Sequence, residues 1–208
     1  TVPVRDPIPA VPVFRDASYR RPVIDPSVSS TDYRRLMRVR LDNLDNYEYT
    51  QFWGLSTSVA YMNAYENVID LWVRDNIAGH YNFWVKNRAG WSNAVGVDLI
   101  DRPALSTMTP AQVTSMPSTV TLAFRDAYTA PDSTSARLDV PGCASQTVSL
   151  TAASATTFTF TMPATCRVWY ASYDATLVVQ NIAGSSNITI PVRPVTVVSP
   201  GGGFGWPR

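Results

Sequence analysis

The sequence predicts an all-β chain, with two sandwiches in tandem behind an extended, proline-rich N-terminal arm. Three observations predict it. One hairpin sequence occurs twice, ninety-four positions apart. Short alternating apolar runs lie between turn signals through the second half of the chain. Six prolines, at positions 3, 7, 9, 12, 22 and 26, punctuate the beginning.

The hairpin comes first because it fixes the domain count. Val85, Asn87, Ala89, Gly90, Ser92 and Asn93 match Val179, Asn181, Ala183, Gly184, Ser186 and Asn187 without a gap. In each copy an apolar run enters, a polar Asn/Gly knot reverses it, and an alternating run leaves. Asn and Gly tolerate left-handed backbone angles, so Asn87 with Gly90, and Asn181 with Gly184, form the turn motif. Two copies about a domain apart mean two related domains, each closing on the same hairpin. The expected division is an arm over 1–20, a first domain over 21–103, a second over 104–196, and a Gly/Pro-rich tail over 197–208.

In the arm, Val2, Val4, Ile8, Val11, Val13 and Phe14 stand among the prolines. Proline at this density prevents a helix and removes ladder donors. A pure linker would be more polar. The apolar teeth therefore predict an extended segment laid along a neighbour, and these six residues are candidate interface residues. In the first domain, Val23–Ser27 is a candidate first strand. Arg34–Leu41 reads as a strand, with a short helix at Thr31–Arg40 as its rival. Ser56–Val73 is ambiguous: Val59, Met62, Tyr65, Ile69 and Val73 fall at helical spacing, whereas Ile69, Leu71 and Val73 alternate. A strand at Val68–Arg74 behind a loop or short helix is preferred. Tyr81, two residues before Phe83, occupies the place of a corner tyrosine at the start of the penultimate strand. The second domain is plainer, with strands at Thr119–Phe124, Ala136–Val140, Thr147–Leu150, Thr156–Met162 and Val168–Tyr173 before the shared hairpin.

Charge excludes some functions. The formal net charge is +1, which gives no strong nucleic-acid footprint. Arg20, Arg21, Arg34, Arg35, Arg38 and Arg40 are nearly cancelled by Asp25, Asp32, Asp42 and Asp45. Residues 1–103 hold twelve basic and twelve acidic groups, whereas 104–208 hold five and four. The Thr-, Ser-, Val- and Ala-rich second half therefore suits small packed strands with uncharged faces. No apolar run is long enough to span a membrane.

Catalytic chemistry is not legible. A Ser-His-Asp arrangement needs His80, the single histidine, which falls in a turn region. Asp42, Asp45 and Glu48 lack the glycine and terminal glutamate of a calcium loop. No metal site, cofactor or catalytic residue is expected. Cys143 and Cys166 are the two cysteines. Their expected state is one disulfide in an oxidising compartment, and the alternative is two buried thiols. Asn187-Ile188-Thr189 is the single Asn-x-Ser/Thr sequon, a candidate glycosylation site in a eukaryotic secretory context. Trp53, Trp72, Trp84 and Trp91 all fall in the first domain. Phe83 and Trp84 are adjacent on a strand and so face opposite sides. Trp91 sits at the hairpin, where burial in its own core is hard. It is a candidate for packing on the arm, the second domain or a partner chain, for stacking on a sugar ring, or for plain local packing.

The second domain also carries a resemblance. Thr109-Pro110, Val120-Thr-Leu-Ala-Phe124, Arg137-Leu-Asp-Val-Pro-Gly142, Thr157-Phe-Thr-Phe-Thr-Met-Pro163 and Val178–Asn187 follow one another in an order that resembles the IPT/TIG family of immunoglobulin-like domains. The first domain shares mainly the hairpin and the Gly79-His80-Tyr81 approach to it. The resemblance implies two tandem immunoglobulin-like β-sandwiches with an extended Pro-rich N-terminal arm. Such domains serve in cell-surface receptors, adhesins, large extracellular repeat proteins, starch-acting enzymes and dimerising transcription factors, and they carry no catalytic constellation of their own. The expectation is a non-enzymatic structural or adhesive module of an extracellular assembly: a surface filament, an appendage or a virion. Its expected partners are other copies of itself, neighbouring structural proteins, and in a lesser role glycans. The alternative is a carbohydrate-binding accessory module of a larger secreted enzyme or receptor.

Overall fold

The computed structural model describes residues 10–18, 35–44, 50–75, 77–164 and 171–194. Val2, Val4, Ile8, Val23–Ser27, Cys166, Asp45, Glu48 and the Gly/Pro-rich tail lie outside these. Among the described residues the regular elements are strands throughout. The chain divides into two compact units between Arg102 and Pro103.

The first unit contains β1 (Val13–Ser18), β2 (Leu36–Asp42), β3 (Gln51–Trp53), β4 (Thr57–Asn63), β5 (Val68–Val73), β6 (Gly79–Asn87), β7 (Gly90–Trp91) and β8 (Val95–Leu99). One sheet runs β1-β2-β5-β4, the other β3-β6-β7, with β8 also paired to β6. Lettered in chain order, these are sheets A-B-E-D and C-F-G, the strand order that defines the immunoglobulin sandwich. Alternation fills the space between them. Met37, Val39 and Leu41 of β2, Ile69, Leu71 and Val73 of β5, Phe83 and Val85 of β6, and Val97 and Leu99 of β8 are all fully buried. Phe83 is the centre of an aromatic group, 6.0 Å from the ring of Phe14 and 6.0 Å from that of Phe52.

Two expectations are corrected here. The segment expected as an arm over 1–20 is, from Val13 to Ser18, strand β1, paired antiparallel to β2. Phe14 packs, partly buried, on the core of its own sandwich. Hydrophobic teeth between prolines do mark an extended strand, but sequence alone does not say whose sheet it joins. The second correction is Ser56–Val73, where a loop or short helix was expected before β5. It is the β4–β5 hairpin. The register steps from Val59↔Leu71 to Tyr61↔Asp70, so Ala60 is an extra residue, a bulge. That residue re-phases the strand, and Val59 and Met62, three apart, both pack on the core. The helical spacing was the imprint of a bulge, and Tyr65, which extended it, is fully exposed. The rival helix at Thr31–Arg40 gives way to β2 from Leu36 onward.

The second unit contains β9 (Leu105–Thr109), β10 (Ser118–Phe124), β11 (Ser135–Asp139), β12 (Gln146–Ser149), β13 (Thr151–Ala152), β14 (Thr157–Met162), β15 (Tyr173–Asn181) and β16 (Gly184–Val192). Its sheets run β13-β14-β10-β9 and β12-β11-β15-β16. This is again D-E-B-A against C-F-G, with one strand added beside C. Val120, Leu122, Leu138, Phe160, Met162, Leu177, Val179 and Ile190 make its core. β9 and β13 carried no clear sequence signal, being short edge strands with mostly exposed side chains. On the outer face, Thr109, Thr121, Thr159 and Thr151 stand directly opposite one another across four strands. Cross-strand threonine pairs of this kind suit a solvated face without charge.

Candidate functional site: a tryptophan face and a clamped strand

The outer face of the C-F-G sheet in the first unit is built by strict alternation. Along β6, Phe83, Val85 and Asn87 point inward and are buried, so Trp84 and Lys86 point outward. Register then supplies their neighbours: Trp53 of β3 lies opposite Trp84, and Gln51 lies opposite Lys86. On the other side Trp91 of β7 lies opposite Lys86. Trp53, Trp84 and Trp91 with Ser92 line an open depression of 480 Å³. Trp53 remains 65% exposed and Trp91 43%. The Lys86 ammonium sits over the Trp91 ring, 5.4 Å from its centroid, a cation–π contact. Trp72 is on β5, in the opposite sheet, and does not join this group.

Two devices hold the face in shape. Gly54 ends β3 at a φ of +92°, and a Cβ there would stand 1.8 Å from the backbone oxygen of Asn82. The other device is Ser92. Three residues, 92–94, oppose Trp84 and Val85, so the last strand is bulged between β7 and β8. Buried Ser92 Oγ accepts the Val85 N–H at 3.0 Å and donates to the Asn93 carbonyl at 2.7 Å. This side chain stands in for the ladder that the bulge interrupts.

The repeated hairpin motif does more than turn the chain. Asn87, 2% exposed, accepts the N–H groups of Ala89 (2.8 Å) and Gly90 (3.2 Å) on Oδ1. Its Nδ2 donates to the carbonyls of Ala10 (2.7 Å) and Asn43 (3.0 Å). Asn43 Nδ2 donates to the Val11 carbonyl at 3.0 Å, and Asn93 Oδ1 accepts the Phe14 N–H at 3.1 Å. Three asparagines thus clamp residues 10–14. Gly90 faces Val11, whose methyl would lie 3.2 Å from an added Cβ. In the second unit Asn181 is also buried and donates to the Ala130 carbonyl at 3.2 Å, while Gly184 opens β16 at a φ of +134°. Val11 and Val13 are each 43% exposed.

The remaining candidates fall apart from one another. His80 Nδ1 lies 2.7 Å from Asp98 Oδ1 in an exposed cross-strand pair. Asp42 is paired with Arg15, and no group of three potential metal-ligating side chains forms among the described residues. Arg38 is engaged by Asp70 through two bonds, at 2.6 and 2.7 Å. Tyr81 donates its hydroxyl to the Ile77 carbonyl at 3.0 Å, the bond of a tyrosine corner. Burial, aided by the negative charge of Asp75, raises the Tyr81 pKa above the ordinary phenol value. Asn187 and Thr189 are exposed on β16 around buried Ile188. Cys143 packs against the second core, and no free cysteine occurs among the described residues. No helix among them is long and apolar enough to cross a membrane.

Sequence reasoning singled out Trp91 and missed its partners on the face. The signal was present as the pairs Gln51/Trp53 and Trp84/Lys86, each two apart. Register across β3, β6 and β7 was needed to bring them together.

No family model matches the chain, and no curated protein does. Among solved structures it is similar to the I-band fragment I67–I69 of titin, at 13% identity and a TM-score of 0.36, over 89% of this chain and 66% of that one. It is similar to SGBP-B from a complex xyloglucan utilization locus in Bacteroides uniformis, at 12% identity and a TM-score of 0.33, over 86% and 48%. It is also similar to the extracellular region of plexin A4, at 9% identity and a TM-score of 0.35, over 85% and 26%. The chain thus spans less than two thirds of each. The fold assignment rests on the strand order, not on likenesses this weak: the chain is a pair of tandem immunoglobulin-like sandwiches.

Proposed function

We propose that the chain is a non-enzymatic structural and adhesive module of an extracellular assembly, and that its second sandwich is of the IPT/TIG type. The observation that carries the reading is the asparagine clamp. Asn43, Asn87 and Asn93 hold residues 10–14 on the first sandwich, which gives residues 1–9 a fixed point of departure. Val2, Val4 and Ile8 are then the candidate contacts for another copy or a neighbouring structural protein. Sheet edges accept such strands through their unpaired N–H and C=O groups.

The clamp also decides the test. Deleting residues 1–20 removes β1 and uncovers the edge of β2, so it tests folding. Deleting residues 1–9 leaves β1 and all three amide contacts intact. Sedimentation velocity of the chain lacking 1–9 should show weakened self-association with an unchanged melting temperature. Equal association with and without residues 1–9 defeats the assembly reading.

An extracellular module fits a Cys143–Cys166 disulfide, which closes a loop of roughly twenty residues and stabilises by about 3 kcal/mol in the chain-entropy model. Peptide mass mapping without reductant should recover the two cysteines in one linked species. Full alkylation of both under non-reducing denaturation would show two thiols instead.

A further inference from the structure

We infer that the tryptophan face of the first sandwich binds a glycan, an extended chain of β-linked pyranoses with equatorial hydroxyls. This deepens the adhesive half of the proposal above and rests on it. Folding gains little by leaving Trp53 and Trp91 in water, since both cores are filled without them. The exposed parts of the indoles amount to something on the order of 300–400 Å². A stable protein partner needs about 800 Å² on each side. The apolar patch also stops abruptly: farther along β6 and β8 comes the hydrogen-bonded pair His80 and Asp98. The indoles thus supply half or less of such a side, and their area suits a small or narrow occupant.

The chemistry narrows the occupant further. Trp53 and Trp84 are directly opposed, and Trp91 is diagonal to Trp84, so the indoles run across three strands, about 10 Å. Between and beside them stand Gln51, an amide, and Lys86, an ammonium, and neither is aliphatic. A pyranose with equatorial hydroxyls has the matching surface. Its axial C–H groups form a flat apolar face for an indole, and its hydroxyls project from the edge towards donors and acceptors. Equatorial β-linkage keeps successive rings in an extended ribbon, which can cross a sheet face and touch more than one indole.

The probes are soluble β-linked gluco-, xylo- and chito-oligosaccharides, titrated against the full chain by calorimetry and by tryptophan emission. At least one class should bind, and Trp53→Ala and Trp91→Ala should each weaken it by about tenfold. Gln51→Ala, which removes an amide and no indole, should weaken it by a smaller factor, and Tyr65→Ala, off the face, should leave it unchanged. Melting curves identify any variant that fails to fold, and Gln51→Ala then carries the test. Absence of binding to every class, or binding indifferent to Trp53→Ala, Trp91→Ala and Gln51→Ala alike, overturns the inference. So does a fall in self-association in Trp53→Ala and Trp91→Ala, which would give the face to another copy. Weakened association without residues 1–9 but no sugar binding would retain the assembly reading alone; sugar binding with unchanged association would do the reverse.

Discussion

Replacing Asn87 with alanine is expected to cost the first sandwich about 3 kcal/mol. The side chain is nearly inaccessible and makes four bonds at once, to Ala10, Asn43, Ala89 and Gly90. Removing it leaves two backbone carbonyls and two N–H groups without their partner. Each buried orphan costs about 1–3 kcal/mol, and those near the turn recover part of that from water. The loss should appear in urea unfolding followed by tryptophan emission. Amide exchange should show residues 10–14 losing protection first, because two of the clamp's contacts depend on Asn87 and Asn43 together. A loss below about 0.5 kcal/mol, the size of an ordinary surface change, would mean that the motif only turns the chain.

Gly54→Ala is expected to be more severe, about 4 kcal/mol, from backbone strain and overpacking together. The φ of +92° is one that side-chain-bearing residues rarely adopt, and the added carbon would meet the Asn82 carbonyl at 1.8 Å. That neighbour is backbone of the central strand β6 and cannot swing aside like a flexible side chain. Relief requires the end of β3 to move, and Trp53 moves with it. The variant should therefore melt markedly earlier and lose the native tryptophan emission even where it remains folded. A melting temperature within a degree or two of the parent would show that β3 yields freely there.

Much of this fold was legible because its signals are local. Asn87, Gly90, Asn181 and Gly184 announce hairpins by their own conformational preferences. The runs Val120-Leu122-Phe124 and Phe158-Phe160-Met162 announce strands by a period that no other element shares. What failed to read was set at a distance. Ala60 re-phases β4 only in register with Leu71 and Asp70, so its neighbours imitated a helix. Phe14 looked like an outward tooth because nothing near it in sequence reveals Phe83. The tryptophan face was half legible for the same reason. Alternation puts Trp84 and Lys86 on one side, but only pairing with β3 and β7 sets Trp53 and Trp91 beside them.

The Lys86–Trp91 contact has a practical side. Lys86 is the single lysine of the chain, and its amine rests on the tryptophan face. Among the side chains of this sequence, a reagent that acylates primary amines has this one to go to. Coupling the protein to a sensor or bead through amines would therefore tether a fraction of it by the face itself, with the indoles turned towards the support. Neutralising the ammonium also removes the cation–π contact, so the emission of Trp91 becomes an internal report of how much of the protein was modified there.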